Sequence, residues 1–158
     1  MELSPDSSGD HRVRRDGPVK DGLFYESARA QVRVEAVRLD TALASSSLND
    51  PVVIKIDVQG AEPLVLKGAT RSFGRAAFVV LEYWPYGIDR LGIAIDAYHR
   101  DLQSLFRYGV LLTRDRYREY LEASSLRLEP IGKILKELEM MGTRDAYFDV
   151  LLSHTESI

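Results

Sequence analysis

Three carboxylates, Asp57, Glu62 and Glu82, have the types and positions that could do chemistry in this chain. Asp57 sits near the carboxyl end of a nearly continuous apolar run, residues 52–58. Glu82 follows a second apolar run, residues 76–81. Ligands of open α/β sheets bind beyond the carboxyl ends of the strands. If the two runs are neighbouring parallel strands, Asp57 and Glu82 face one crevice. Gly60, Ala61 and Glu62 then lie in the loop over the same edge. Paired carboxylates suit proton transfer, and an oxygen-only pair at Asp57 and Glu82 also suits magnesium.

Each of these residues has a structural alternative. Asp57 can simply hydrogen-bond the loop after its strand. Glu62 can serve the N-terminus of the helix it opens. Glu82 can pair with an arginine in a structural ion pair. Lys55 reads as structural, with its stem along apolar surface and its amine reaching out. Gly60 marks either a positive φ or a close approach of two backbones.

The elements that would position these groups follow from apolar spacing. Residues 32–39 alternate apolar and polar, which predicts a half-buried strand. Asp40 is placed to cap a short helix after it, and residues 45–51 read as a loop. The β-branched run 52–58 predicts a parallel strand covered on both faces by helices. Glu62-Pro63 opens a helix, which Gly68 and Gly74 weaken or end. Run 76–81 predicts the next parallel strand, in the rhythm of a βαβ unit. Further helices are predicted over 95–107 and 131–141, with strands over 110–113 and 147–152. The fold class is α/β, with a mixed sheet of about four or five strands and flanking helices.

The other motifs carry less. Residues 1–30 are polar and lack an apolar period, which predicts a flexible N-terminal segment. The basic cluster at 11–15 is surrounded by Asp6, Asp10, Asp16 and Asp21, and reads as solvated and self-neutralised. Residues 114–120 interleave arginine with tyrosine but hold two acids, and read as an exposed helix face or loop. Tyr83, Trp84 and Tyr86 could stack on a sugar or adenine, although aromatics at a strand end more often pack. His11, His99 and His154 are scattered, so no histidine metal site is expected.

Composition sets the outer limits. A chain of 158 residues is one ordinary domain. Its net charge of −3 argues against bulk binding to nucleic acid or an anionic membrane. No cysteine is present, which removes thiolate metal sites and cysteine nucleophiles. That composition fits a reducing compartment, and the expected location is the cytoplasm. No apolar run approaches the length of a bilayer span.

The stretch Ile54-Lys55-Ile56-Asp57-Val58-Gln59-Gly60-Ala61-Glu62, followed by Val65-Leu66-Lys67-Gly68-Ala69, resembles the signature of the FkbM-type methyltransferases. Gln59 departs from it, since that family usually has glutamate there. Val37-Arg38-Leu39-Asp40 is similar to the family's segment before this strand, and Glu82 matches the glutamate that ends its next strand. The resemblance covers residues 32–152 and divides the chain into a flexible segment, 1–30, and a partial methyltransferase domain, 31–158. It implies a Rossmann-like class I methyltransferase fold that binds S-adenosylmethionine and methylates a hydroxyl of a sugar or natural product. It also implies that Asp57 takes the acceptor's proton, with Glu62 and Glu82 as orienting groups.

The family's cofactor loop carries closely spaced glycines, and no G-x-G occurs here: the closest pairs are Gly17/Gly22 and Gly87/Gly92. The resemblance therefore implies the C-terminal half of such a domain, with the first three strands absent. Activity of this chain alone is then doubtful, and a non-catalytic remnant or interaction module is the alternative. Strand 52–58 would have an open edge, to be capped by residues 32–39 or by a partner. The expected partner is a second copy or a complementing N-terminal half.

Overall fold

The computed structural model describes residues 1–14, 29–46, 51–141 and 146–158. In chain order the elements are β1 (Glu2–Leu3), β2 (Ala30–Gln31), α1 (Leu39–Ala42), β3 (Val52–Ile56), α2 (Glu62–Gly68), α3 (Thr70–Phe73) and β4 (Ala76–Tyr83). There follow α4 (Pro85–Arg90), α5 (Ile95–Leu105), β5 (Tyr108–Leu112), α6 (Tyr117–Glu122), β6 (Glu129–Pro130), α7 (Ile131–Met141) and β7 (Phe148–Ser153).

A five-stranded mixed sheet has the order β3-β4-β7-β5-β6, and β1 pairs with β2 separately. β3 and β4 run parallel with Ile56 opposite Leu81, whereas β7 runs antiparallel to both β4 and β5. The C-termini of β3, β4 and β5 therefore share one edge of the sheet with the start of β7. Two apolar cores lie on the two faces. The larger packs Ile56, Val79, Leu81 and Leu152 against Leu66, Phe73, Leu102 and Leu138 of α2, α3, α5 and α7. The smaller packs Val110 and Leu151 against Leu128, with Tyr120 and Leu126 alongside.

Both apolar runs form strands, and the parallel pairing is present. The expectation of helices on both faces of the first run fails. β3 is the outermost strand, its pattern alternates, and Val53 is 55% exposed. Apolar continuity in β3 reflects its β-branched composition more than two-sided burial.

Residues 32–38 are not a strand; they carry no regular structure and are mostly exposed. Only Ala30–Gln31 pair, with β1. Asp40 is not the cap of its own helix, because Arg38 holds that position without a side-chain bond. The Asp40 carboxylate instead accepts from the backbone N–H of Arg71 (3.2 Å) and of Ser72 (2.9 Å), and from the Ser72 hydroxyl (2.9 Å). It thus satisfies open donors at the start of α3 rather than of α1.

Residues 1–14 depart from the expected flexible segment. Glu2 and Arg12 are buried, and Arg90 of α4 bonds Glu2 at 3.1 Å with both side chains almost fully enclosed. Arg12 holds Asp10 at 2.9 Å and lies over the Trp84 ring, 5.2 Å from its centroid. Arg12 of the basic cluster is therefore neutralised by Asp10 but is not solvated, and Arg15 lies outside the described residues. The rest of that segment, 15–28, and residues 47–50 of the expected loop lie outside the described residues. No helix among the described residues is long and apolar enough to cross a membrane.

Candidate functional site

The parallel pairing sets the site. Asp57 is the first residue past β3, and Glu82 is the next residue on β4 after the Ile56–Leu81 pair. The two carboxylates therefore come together at one edge of the sheet, where the charge of Asp57 acts on Glu82.

The loop beyond Asp57 is held in an unusual shape. Gln59 has φ 55 and Gly60 has φ 92. A Cβ on Gly60 would lie 2.3 Å from the carbonyl carbon of Gly87 in α4, so backbone meets backbone there. Gly60 thus needs both properties read from the sequence, the positive φ and the close approach.

Glu62 locks the same loop. Its side chain is fully buried, and Oε1 accepts from the N–H of Val58 (3.0 Å) and of Gly60 (3.4 Å). Oε2 has no hydrogen-bond partner among the described residues. Burial pushes the Glu62 carboxyl up, against those backbone bonds, and the charge of Asp57 adds to the rise. Asp57 itself is exposed and accepts from the Gln59 side-chain amide at 2.8 Å. The residue at which the sequence departs from the family pattern therefore contacts the candidate base.

Glu82 is 8% exposed, and its Oε2 likewise has no partner among the described residues. Burial pushes its carboxyl up to about 7. Repulsion from Asp57, Glu62 and Asp149 adds to the rise, and Lys55 opposes it. Asp149 on β7 stands directly opposite Glu82 in the register. Lys55 reaches Asp149 at 2.5 Å, with both side chains about half exposed. This confirms a lysine stem lying along the sheet with its amine reaching out.

The corner thus holds Asp57, Glu62, Glu82 and Asp149, with the other three acids raising Glu82 and Lys55 opposing them. Sequence reading found the first three and missed Asp149. The available signal was a lone acid inside an apolar strand, but its neighbour depends on strand order. No group of three or more His, Asp and Glu side chains among the described residues is arranged to hold a metal ion.

The aromatics after Glu82 pack rather than line an opening. Tyr83 is buried, stacks on Tyr98 at 6.0 Å and bonds His99 Nε2 through its hydroxyl at 2.8 Å. His99 Nδ1 contacts Glu139 at 3.1 Å. Burial pushes the Tyr83 hydroxyl up to about 12, and Glu139 adds to the rise. Trp84 is 4% exposed, against Tyr86 and under Arg12. Tyr120, from the arginine–tyrosine stretch, donates to the Leu111 carbonyl at 3.0 Å and joins the smaller core.

Residues 3–129 match the family model described as the methyltransferase FkbM domain. The match starts nearer the N-terminus than the motifs did and stops before α7 and β7. Neither a curated protein nor a solved structure matches the chain.

Proposed function

Since the chain belongs to the FkbM methyltransferase domain family, we propose that it serves S-adenosylmethionine-dependent methylation of a hydroxyl on a small molecule, a sugar or a natural product. Its architecture would then be a Rossmann-like sheet carrying the acceptor side of the site. The supporting observation is the pair Asp57–Glu82. Two carboxylates share one sheet edge, and one of them is raised to about 7 by burial and by its neighbours' charge. Pairs of acids pushed apart in this way divide the work of holding and taking a proton.

Asp57 is the exposed member and meets the acceptor. Its carboxylate orients the acceptor hydroxyl and takes the proton as the oxygen becomes a nucleophile. Glu82, protonated over part of the neutral range, keeps a second negative charge from building up beside Asp57. Glu62 holds the loop through Val58 and Gly60, so Asp57 stays aimed along the edge. Lys55 lowers the Glu82 carboxyl and Asp149 raises it, both by less than burial, Asp57 and Glu62 do.

The acidic rim supports one end of the cofactor reading. S-adenosylmethionine supplies an electrophilic methyl group on a sulfonium centre. An acidic edge whose exposed member is Asp57 suits that cation and the neighbouring ammonium. The adenosyl end calls for a glycine-lined approach of backbone, and no G-x-G is present in the sequence. This last observation favours a second reading, a module of the methyltransferase fold that binds no cofactor. The cysteine-free chain is placed in the cytoplasm on the same terms.

Calorimetric titration of the full chain with S-adenosylmethionine separates the two. The enzymatic reading expects heat of binding that weakens at least tenfold in the Asp57→Asn, Glu82→Gln double variant. It also expects transfer of labelled methyl to a hydroxylated acceptor. No heat at millimolar cofactor would favour the non-catalytic module.

A further inference from the structure

β3 ends the sheet, and among the described residues no strand pairs with its outer side. Its exposed side chains are Val53, Lys55 and, just beyond it, Asp57. A second feature lies unused in the same molecule. Residues 32–38 have the alternation of a strand but no regular structure, and Val34 and Val37 are 51% and 68% exposed. An open strand edge and an unpaired strand-like segment are complementary needs.

We propose that two copies of this chain associate by placing residues 33–37 of one antiparallel against residues 53–57 of the other. The register follows from side-chain chemistry. On the exposed face Arg33 falls opposite Asp57, Glu35 opposite Lys55, and Val37 opposite Val53. On the core face Val34 meets Ile56 and Ala36 meets Ile54. Every directly opposed pair is therefore opposite in charge or apolar with apolar. A parallel arrangement with the same faces sets Arg33 against Val53 and Val37 against Asp57, losing both matches. A slip of one residue turns Arg33 and Glu35 onto the apolar face.

The occupant is a second copy because the chain's own segment is pinned at both ends. The Val32 N–H donates to the Met1 carbonyl at 3.0 Å, and Asp40 is bound to the start of α3. Reciprocal exchange about a two-fold axis caps both edges and closes the assembly at two chains. Lys55 keeps Asp149 while meeting Glu35, since an ammonium has three donors. The pairing also brings Arg33 of the second copy beside Asp57, so the dimer edge borders the acidic rim.

The absence of cysteine makes the register directly testable. Opposed residues on antiparallel strands have Cβ atoms about 4.5–5.5 Å apart, close enough for disulfide formation with small adjustment. Under mild oxidation the Glu35→Cys, Lys55→Cys variant is expected to give a disulfide-linked dimer. The Ala36→Cys, Lys55→Cys variant, with its cysteines on opposite faces, is expected to stay uncrosslinked. Sedimentation of the unmodified chain at tens of micromolar is expected to show a dimer. A monomer there, an intrachain disulfide in the first variant, or equal crosslinking in the second would overturn the proposal.

Discussion

Lys55 on β3 and Asp149 on β7 meet at 2.5 Å across the strand that separates them, and that strand carries Glu82. The contact joins the parallel and antiparallel parts of the sheet at the edge where Asp57 also lies. Lys55 lowers the Glu82 carboxyl and Asp149 raises it. Burial first, then repulsion from Asp57 and Glu62, raises that carboxyl to about 7.

That rise gives stability a definite pH dependence. The folded-state pKa of Glu82 is raised from 4.5 to about 7, so folding favours its protonated form. The stabilisation is complete below about 4.5 and is lost as the pH rises through about 7. Glu62 acts in the same direction. Asp10 and Asp40 act oppositely, because burial is outweighed by Arg12 and Arg29 at the first, and by Ser72 and Arg71 at the second. Both are lowered from 3.8, so their stabilisation is lost only in stronger acid. Melting temperature measured against pH should therefore be flatter between pH 4.5 and 7 in Glu82→Gln than in the parent chain. At pH near 8 the variant should be the more stable of the two. Equal slopes would remove Glu82 from the account.

Gly60→Ala should be severe. The added carbon meets the Gly87 backbone at 2.3 Å, and φ 92 is strained for any side chain. We expect a loss of roughly 3 kcal/mol or more in urea unfolding. A loss below about 1 kcal/mol would mean that the loop and α4 are not in contact.

Arg90→Ala should cost about 3–5 kcal/mol, because it strands Glu2 in a buried site. Arg90 also donates to the Val13 carbonyl at 2.8 Å, so residues 1–14 should come loose together. Proteolysis within those residues should then be faster than in the parent chain. Unchanged stability and cleavage would show that the segment does not depend on α4.

What the sequence made legible was local. The β-branched runs, the Glu62-Pro63 helix start and the apolar spacing of α7 identified their elements. They also put Asp57 and Glu82 at strand ends. What stayed hidden depended on partners distant in the chain. Asp149 became part of the site only because β7 inserts beside β4. Asp40 capped α3 instead of α1 for the same kind of reason. Residues 32–38 show the converse failure, since alternation signals that a segment can pair, not that a neighbour is present. The N-terminal residues lacked an apolar period because their anchors are charges, Glu2 and Arg12, buried with partners no pattern could indicate.

The most direct test of the shared acidic rim is the titration of the Glu82 carboxyl carbon by nuclear magnetic resonance, in the parent chain and in Asp57→Asn. The parent midpoint should lie near 7, and removing the charge of Asp57 should move it down. A midpoint at the ordinary glutamate value, or one that Asp57→Asn leaves in place, would contradict the account.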